Sequence, residues 1–216
     1  MEENKINKVL VDNLVTIISN NTAINSYLKL NLNIFLNYYQ KMLKNCHILN
    51  KFDSIEKLLN NANNLEPDNK ICVRENYGGF MNHLYFFLSL TKKSLINKDG
   101  QLYKDIEEKF QNYNFFIDII KKKAKRLFGS GWIWLVSHKN ELKIMVFFNE
   151  DNPWHKEYFP IIAIDLWEHS YVEKFLSKDD YIDFIFENLN FQFIEEVYQY
   201  YLKNNKIFEI TKYKLI

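Results

Sequence analysis

The segment Ile161-Ile162-Ala163-Ile164-Asp165-Leu166-Trp167-Glu168-His169 runs from an apolar stretch straight into a polar helix start. Ile161–Asp165 reads as a short strand, and a helical pattern begins at Trp167. The junction places Asp165 and His169 four residues apart, where a carboxylate and an imidazole can converge on one ion. A mixed oxygen and nitrogen donor set suits manganese, iron or zinc rather than copper(I). Taken alone the pair is weak, and Asp165 as a helix cap is the simpler reading.

Upstream, Gly129-Ser130-Gly131 ends a helical pattern carried by Asp105–Phe110 and Phe115–Leu127. Trp132–Ser137 and Glu141–Phe148 are β-rich runs, with His138-Lys139-Asn140 between them as a hairpin turn. Downstream of Trp167 the pattern stays helical to about Lys203, with Tyr198, Tyr200 and Tyr201 as packing residues of a terminal helix. Before Lys98–Gly100, a polar turn, the chain reads as helical. Leu10, Leu14 and Val15 fit one helix, and Ile34, Phe35, Tyr38, Met42 and Leu43 fit a second. Another runs from about Gly79 to Leu90, and residues 51–70 read as surface around a short helix at Ile55–Leu59. The expected fold is α+β: a helical hairpin domain over 1–97, then an α/β domain over 98–216 with a small three-stranded antiparallel sheet.

Composition narrows the function. The 216 residues are 47% hydrophobic and 17% aromatic, enough to fill one large core, and the formal charge of +1 excludes a globally basic nucleic-acid binder. Lys121, Lys122, Lys123, Lys125 and Arg126 form one dense basic run, expected at a solvated helix end where cations suit the macrodipole. Cys46 and Cys72 lack metal-ligand spacing and are too few for a disulfide scaffold. The start, MEENKINKVL, has neither an apolar signal core nor transit-peptide character, which makes cytoplasmic placement the expectation and mitochondrial placement the alternative. His138 and His155 sit in polar, turn-like surroundings and are expected at the surface.

Three further segments give Asp165 and His169 a context. Gly129-Ser130-Gly131-Trp132-Ile133-Trp134-Leu135, Asn82-His83-Leu84-Tyr85-Phe86 and Glu187-Asn188-Leu189-Asn190-Phe191 resemble, in order, signature segments of the iron/manganese superoxide dismutases, across roughly residues 30–200. The manganese-like subgroup is the nearer match, because Asn149-Glu150-Asp151-Asn152-Pro153 resembles its segment, while Gly79 stands where iron-type members supply a Gln. The resemblance implies one manganese or iron ion per chain, with His83, Asp165 and His169 as ligands. It implies Trp132 and Trp167 in the wall around the ion, and Glu168 reaching across a homodimer interface to the partner's ligand histidine. The implied reaction is dismutation of superoxide to oxygen and hydrogen peroxide.

The same resemblance marks departures. Aligning Gln40 and Asn45 puts Ile34 at the first ligand histidine, Tyr38 at a histidine behind it and Met42 at the tyrosine lining the substrate funnel. No histidine occurs between residues 1 and 46, and His47 is too far along the helix to substitute. Glu150 stands at the Gln that bonds metal-bound solvent, and Val172 at a tyrosine of the dimer relay. Glu150 could itself join His83, Asp165 and His169 as a fourth ligand. Two functions are open: a divergent dismutase of weak or lost activity, or a non-catalytic structural subunit on the same fold, in a larger assembly such as a mitochondrial ribosome.

Overall fold

A computed structural model of the chain describes residues 8–20, 22–44, 48–92, 95–156 and 158–212. Asn45, Cys46 and His47, the start on which the targeting reading rests, and the side chain of His155 lie outside what is described. The N-terminal part is helical: α1 (Lys8–Asn20), α2 (Thr22–Lys44), α3 (Ile55–Asn60), α4 (Pro67–Cys72) and α5 (Gly78–Leu88). Helix α2 packs along α1 and α5. Pro67 opens α4 at its first turn, where a missing N–H costs nothing. Val73–Tyr77 then continues as a π-turn directly into α5.

The second part contains α6 (Gln101–Phe110), α7 (Tyr113–Arg126), β1 (Gly131–His138), β2 (Glu141–Phe148) and β3 (Phe159–Asp165). After these come α8 (Glu168–Tyr171), α9 (Lys178–Glu187) and α10 (Phe191–Asn204). The strands form the expected three-stranded antiparallel sheet, and their order is β2-β1-β3. Lys139 and Asn140 both take left-handed backbone angles (φ 51° and 61°), the geometry of a tight two-residue hairpin that matches strand twist. Central β1 is buried nearly throughout, whereas edge strand β2 mixes buried and exposed positions. Asn112, Ser177 and Asn190 cap α7, α9 and α10 by accepting from Phe115, Asp180 and Phe193 N–H groups.

Aromatic rings lock the two parts together. Tyr85 of α5 packs edge-on to Trp134, Trp154 and Phe193, and its hydroxyl donates to Pro160 O at 2.8 Å. A buried phenol is tolerated there because its one polar atom is satisfied. Residues 51–70 are not simply surface: Ile55, Leu58, Leu59 and Ala62 are fully buried. Their apolar groups recur at helical spacing and face the core, while the Asn-rich remainder faces outward. Glu56 is buried with them and accepts from Thr211 N and Oγ1, each at 3.2 Å. The basic run of α7 is partly tied down, since Lys121 pairs with Asp183 and Lys125 with Asp179 on α9. No described helix is long and apolar enough to cross a membrane.

Candidate metal centre

The sheet register delivers the first acid. Trp132 on β1 pairs with Asp165 at the end of β3, so the carboxylate emerges from the sheet beside an indole. Asp165 Oδ1 accepts from Trp167 N at 2.9 Å, which holds the carboxylate at the strand–helix junction. Its other oxygen, Oδ2, faces two imidazoles. His169 Nε2, one turn on in α8, stands 3.3 Å away, and His83 Nε2, from α5, 3.8 Å away.

The orientation of His83 follows from its neighbour. Nδ1 lies 2.7 Å from Gly79 O, and a carbonyl can only accept, so Nδ1 carries a hydrogen and Nε2 is the ring nitrogen turned to the carboxylate. Among the described residues, neither His83 Nε2 nor His169 Nε2, both buried, has a hydrogen-bond partner. Burying a nitrogen lone pair beside a carboxylate is unfavourable unless something positive satisfies both. The ligand atoms of His83, Asp165 and His169 all lie within 4.8 Å of one another, close enough to hold one ion. The donor chemistry therefore fits manganese or iron.

Aromatic rings wall this pocket. His83 stacks edge-on to Trp132 at 5.0 Å and lies 5.9 Å from His169, whose other face meets Trp167. Gly79 is required by the approach of α2: a Cβ there would sit 2.5 Å from the Tyr38 ring. A Cβ at neighbouring Gly78 would sit 2.7 Å from Glu150 O.

Glu150 is 6% exposed, and donors surround its carboxylate. Tyr38 Oη donates to Oε1 at 2.9 Å, while Asn82 Nδ2 and Trp132 Nε1 donate to Oε2 at 2.9 and 3.2 Å. Burial pushes its pKa up, against the opposing pull of His83, Asn82 and Tyr38. Burial and the adjacent Glu150 carboxylate together push the Tyr38 phenol far above its ordinary range, so it stays protonated. Burial lowers the His169 pKa, but Asp165, Glu150 and Glu168 outweigh it and the net direction is upward. Glu150 does not belong to the His83–Asp165–His169 cluster; its oxygens are committed to the three donors.

Helix α2 sits about one turn away from the register expected. Asn31, fully buried, is the α2 residue that reaches the carboxylate: its Nδ2 is 3.5 Å from Asp165 Oδ2 and donates to Ser170 Oγ at 3.2 Å. Ile34 is half-buried, and Tyr38 rather than Met42 points its hydroxyl at Glu150. Met42 is a core residue. Asn31 and Ser170 were not singled out in the sequence, where Asn31 is one of many asparagines in a helix lacking histidine. Glu168 and Val172 are exposed on and beside α8. His138 is half-buried, its ring edge-on to Tyr158.

Comparison with known proteins agrees with this geometry. Residues 98–197 match the C-terminal domain of iron/manganese superoxide dismutases. A manganese superoxide dismutase of Thermus aquaticus is 35% identical over 147 residues, covering 67% of this chain and 72% of that protein. With a helical layer, a three-stranded sheet and two imidazoles and an aspartate gathered where they meet, the chain belongs to the iron/manganese superoxide dismutase family.

Proposed function

We propose that this chain is a divergent dismutase that binds one manganese or iron ion through His83, Asp165 and His169 and turns over superoxide weakly. One observation carries the reading: two buried imidazole nitrogens without partners flank a single aspartate oxygen. Bound metal would supply the one-electron exchange that converts two superoxide radicals and two protons to oxygen and hydrogen peroxide. The chain's own residues orient the site. Gly79 O fixes the tautomer of His83, Trp167 N fixes Asp165, and Trp132 excludes water.

Weak turnover follows from the α2 and Glu150 positions. Helix α2 brings a carboxamide, not an imidazole, to Asp165. The hydroxyl of Tyr38 is committed to Glu150, so its proton is held rather than delivered. In a homodimer, exposed Glu168 would reach the partner's site.

The test is to purify the full chain after growth with added manganese or iron, quantify bound metal and measure superoxide removal. Stoichiometric metal with measurable removal is expected. A folded protein that takes up neither ion would overturn the reading in favour of a structural subunit. Bound metal without any dismutation would retain the site and discard the activity.

A further inference from the structure

Three protein atoms converge on Asp165 Oδ2. Two are the imidazole nitrogens; the third is the amide end of Asn31, 3.5 Å away. Asn31 is fully buried, and among the described residues its Oδ1 has no hydrogen-bond partner. An unsatisfied buried carbonyl costs free energy, and the described polar contacts of that side chain are the carboxylate and the Ser170 hydroxyl. The two ends of a carboxamide have the same shape, so a half-turn about the Cβ–Cγ bond exchanges Nδ2 and Oδ1 without moving α2. That turn would place the oxygen against the pocket, where Ser170 can donate its hydroxyl hydrogen to it.

Three donors leave an ion of this class short of a full coordination shell. On the reading that His83, Asp165 and His169 bind metal, we propose that Asn31 supplies a fourth protein ligand through its side-chain oxygen. The set becomes two imidazole nitrogens, one carboxylate oxygen and one amide oxygen. Exchanging a nitrogen donor for a carbonyl oxygen hardens the site and favours manganese(II). Helix α2 thus retains a ligating role without a histidine. Metal-free, the amide donates to Asp165 and Ser170; metal-bound, it turns.

The metal-free full-length protein is titrated with manganese(II) chloride, and free ion is read by electron paramagnetic resonance. Wild type is expected to bind one ion, and Asn31→Ala to bind at least about tenfold more weakly. Asn31→Asp keeps the shape and an oxygen donor, and should bind as tightly as wild type or more so. If wild type binds no manganese, the underlying site reading fails and this one with it. If wild type binds and Asn31→Ala binds equally well, only the Asn31 assignment is overturned. If Asn31→Ala does not fold, Asn31→Asp decides: binding as tight as wild type or tighter supports ligation, and weaker binding overturns it.

Discussion

Replacing Glu150 by glutamine tests the electrostatics of the pocket most directly. The side chains match in shape, and the hydrogen bonds can be traced across. Asn82 Nδ2 and Trp132 Nε1 both donate to Oε2, so an amide oxygen placed there keeps both bonds. The new NH2 then occupies the Oε1 place and faces Tyr38 Oη at 2.9 Å, which can accept in place of donating. Tyr38 is thereby released from the carboxylate, and its hydroxyl hydrogen is free to be given elsewhere. Restoring a correctly polarised partner beside a metal site changes activity about 10–100-fold, and the expected direction is upward.

Stability carries an independent signature. The Glu150 carboxyl is raised above its ordinary 4.5 by burial, so the folded protein binds that proton more tightly than the unfolded chain. Its contribution is most favourable below about pH 4.5 and is lost as pH rises through the folded value, with a slope of at most about 1.4 kcal/mol per pH unit. Glutamine has no such slope. The variant's advantage in urea unfolding should therefore be absent at low pH and grow toward neutrality. Superoxide removal at matched metal content, unchanged or reduced in Glu150→Gln, would refute the reasoning, as would a stability difference flat in pH.

Two further substitutions probe the frame around the site. Glu56 is also raised by burial, and its described partners, Thr211 N and Oγ1, carry no charge. Glu56→Gln should stabilise the protein at pH 7 and lose that gain below about pH 4.5, measured by denaturant unfolding; equal stability at pH 7 would count against it. Gly79→Ala drives a methyl to 2.5 Å from the Tyr38 ring and should cost about 1–3 kcal/mol. In a chain of this size that lowers the melting temperature by about 2–4 °C per kcal/mol, and an unchanged melting temperature would show that α2 yields freely.

The parts of the site carried by short, strongly patterned segments were legible in the sequence. The hairpin of β1 and β2 and the end of β3 at Asp165 rest on local signals, namely β-branched runs, a tight polar turn and a strand running into a helix. His83, by contrast, was reached only through the family resemblance of Asn82–Phe86. The register of α2 was not legible. Its buried side is Asn31, Phe35 and Met42, with half-buried Tyr38 among them, a spacing of four, three and four. The stripe of Ile34, Tyr38 and Met42 uses two steps of four, each drifting about 40° around the helix. Isoleucines, leucines and tyrosines occur all round α2, so apolar periodicity alone could not choose between faces. What chooses is tertiary: Gly79 admits the Tyr38 ring, and Asp165 and Ser170 meet Asn31.

The departures at this centre fall on separate hydrogen-bond networks. Asn31 contacts Asp165 and Ser170; Glu150 contacts Tyr38, Asn82 and Trp132; the two share no partner. On the proposed reading they bear on different quantities, yet both reach Asp165, Asn31 by contact and Glu150 through its charge, so a double variant should show coupling. Asn31 bears on how firmly an ion is held, because it faces the carboxylate that both histidines face. Glu150 bears on charge and proton supply, because it takes the Tyr38 hydrogen and adds a buried acid near Asp165, whose charge disfavours its own ionisation. A pocket holding two carboxylates and two imidazoles with facing nitrogens can take a cation even where turnover is slow. Retention of metal and loss of rapid dismutation are thus compatible outcomes of one residue set, and the Asn31 and Glu150 variants separate them.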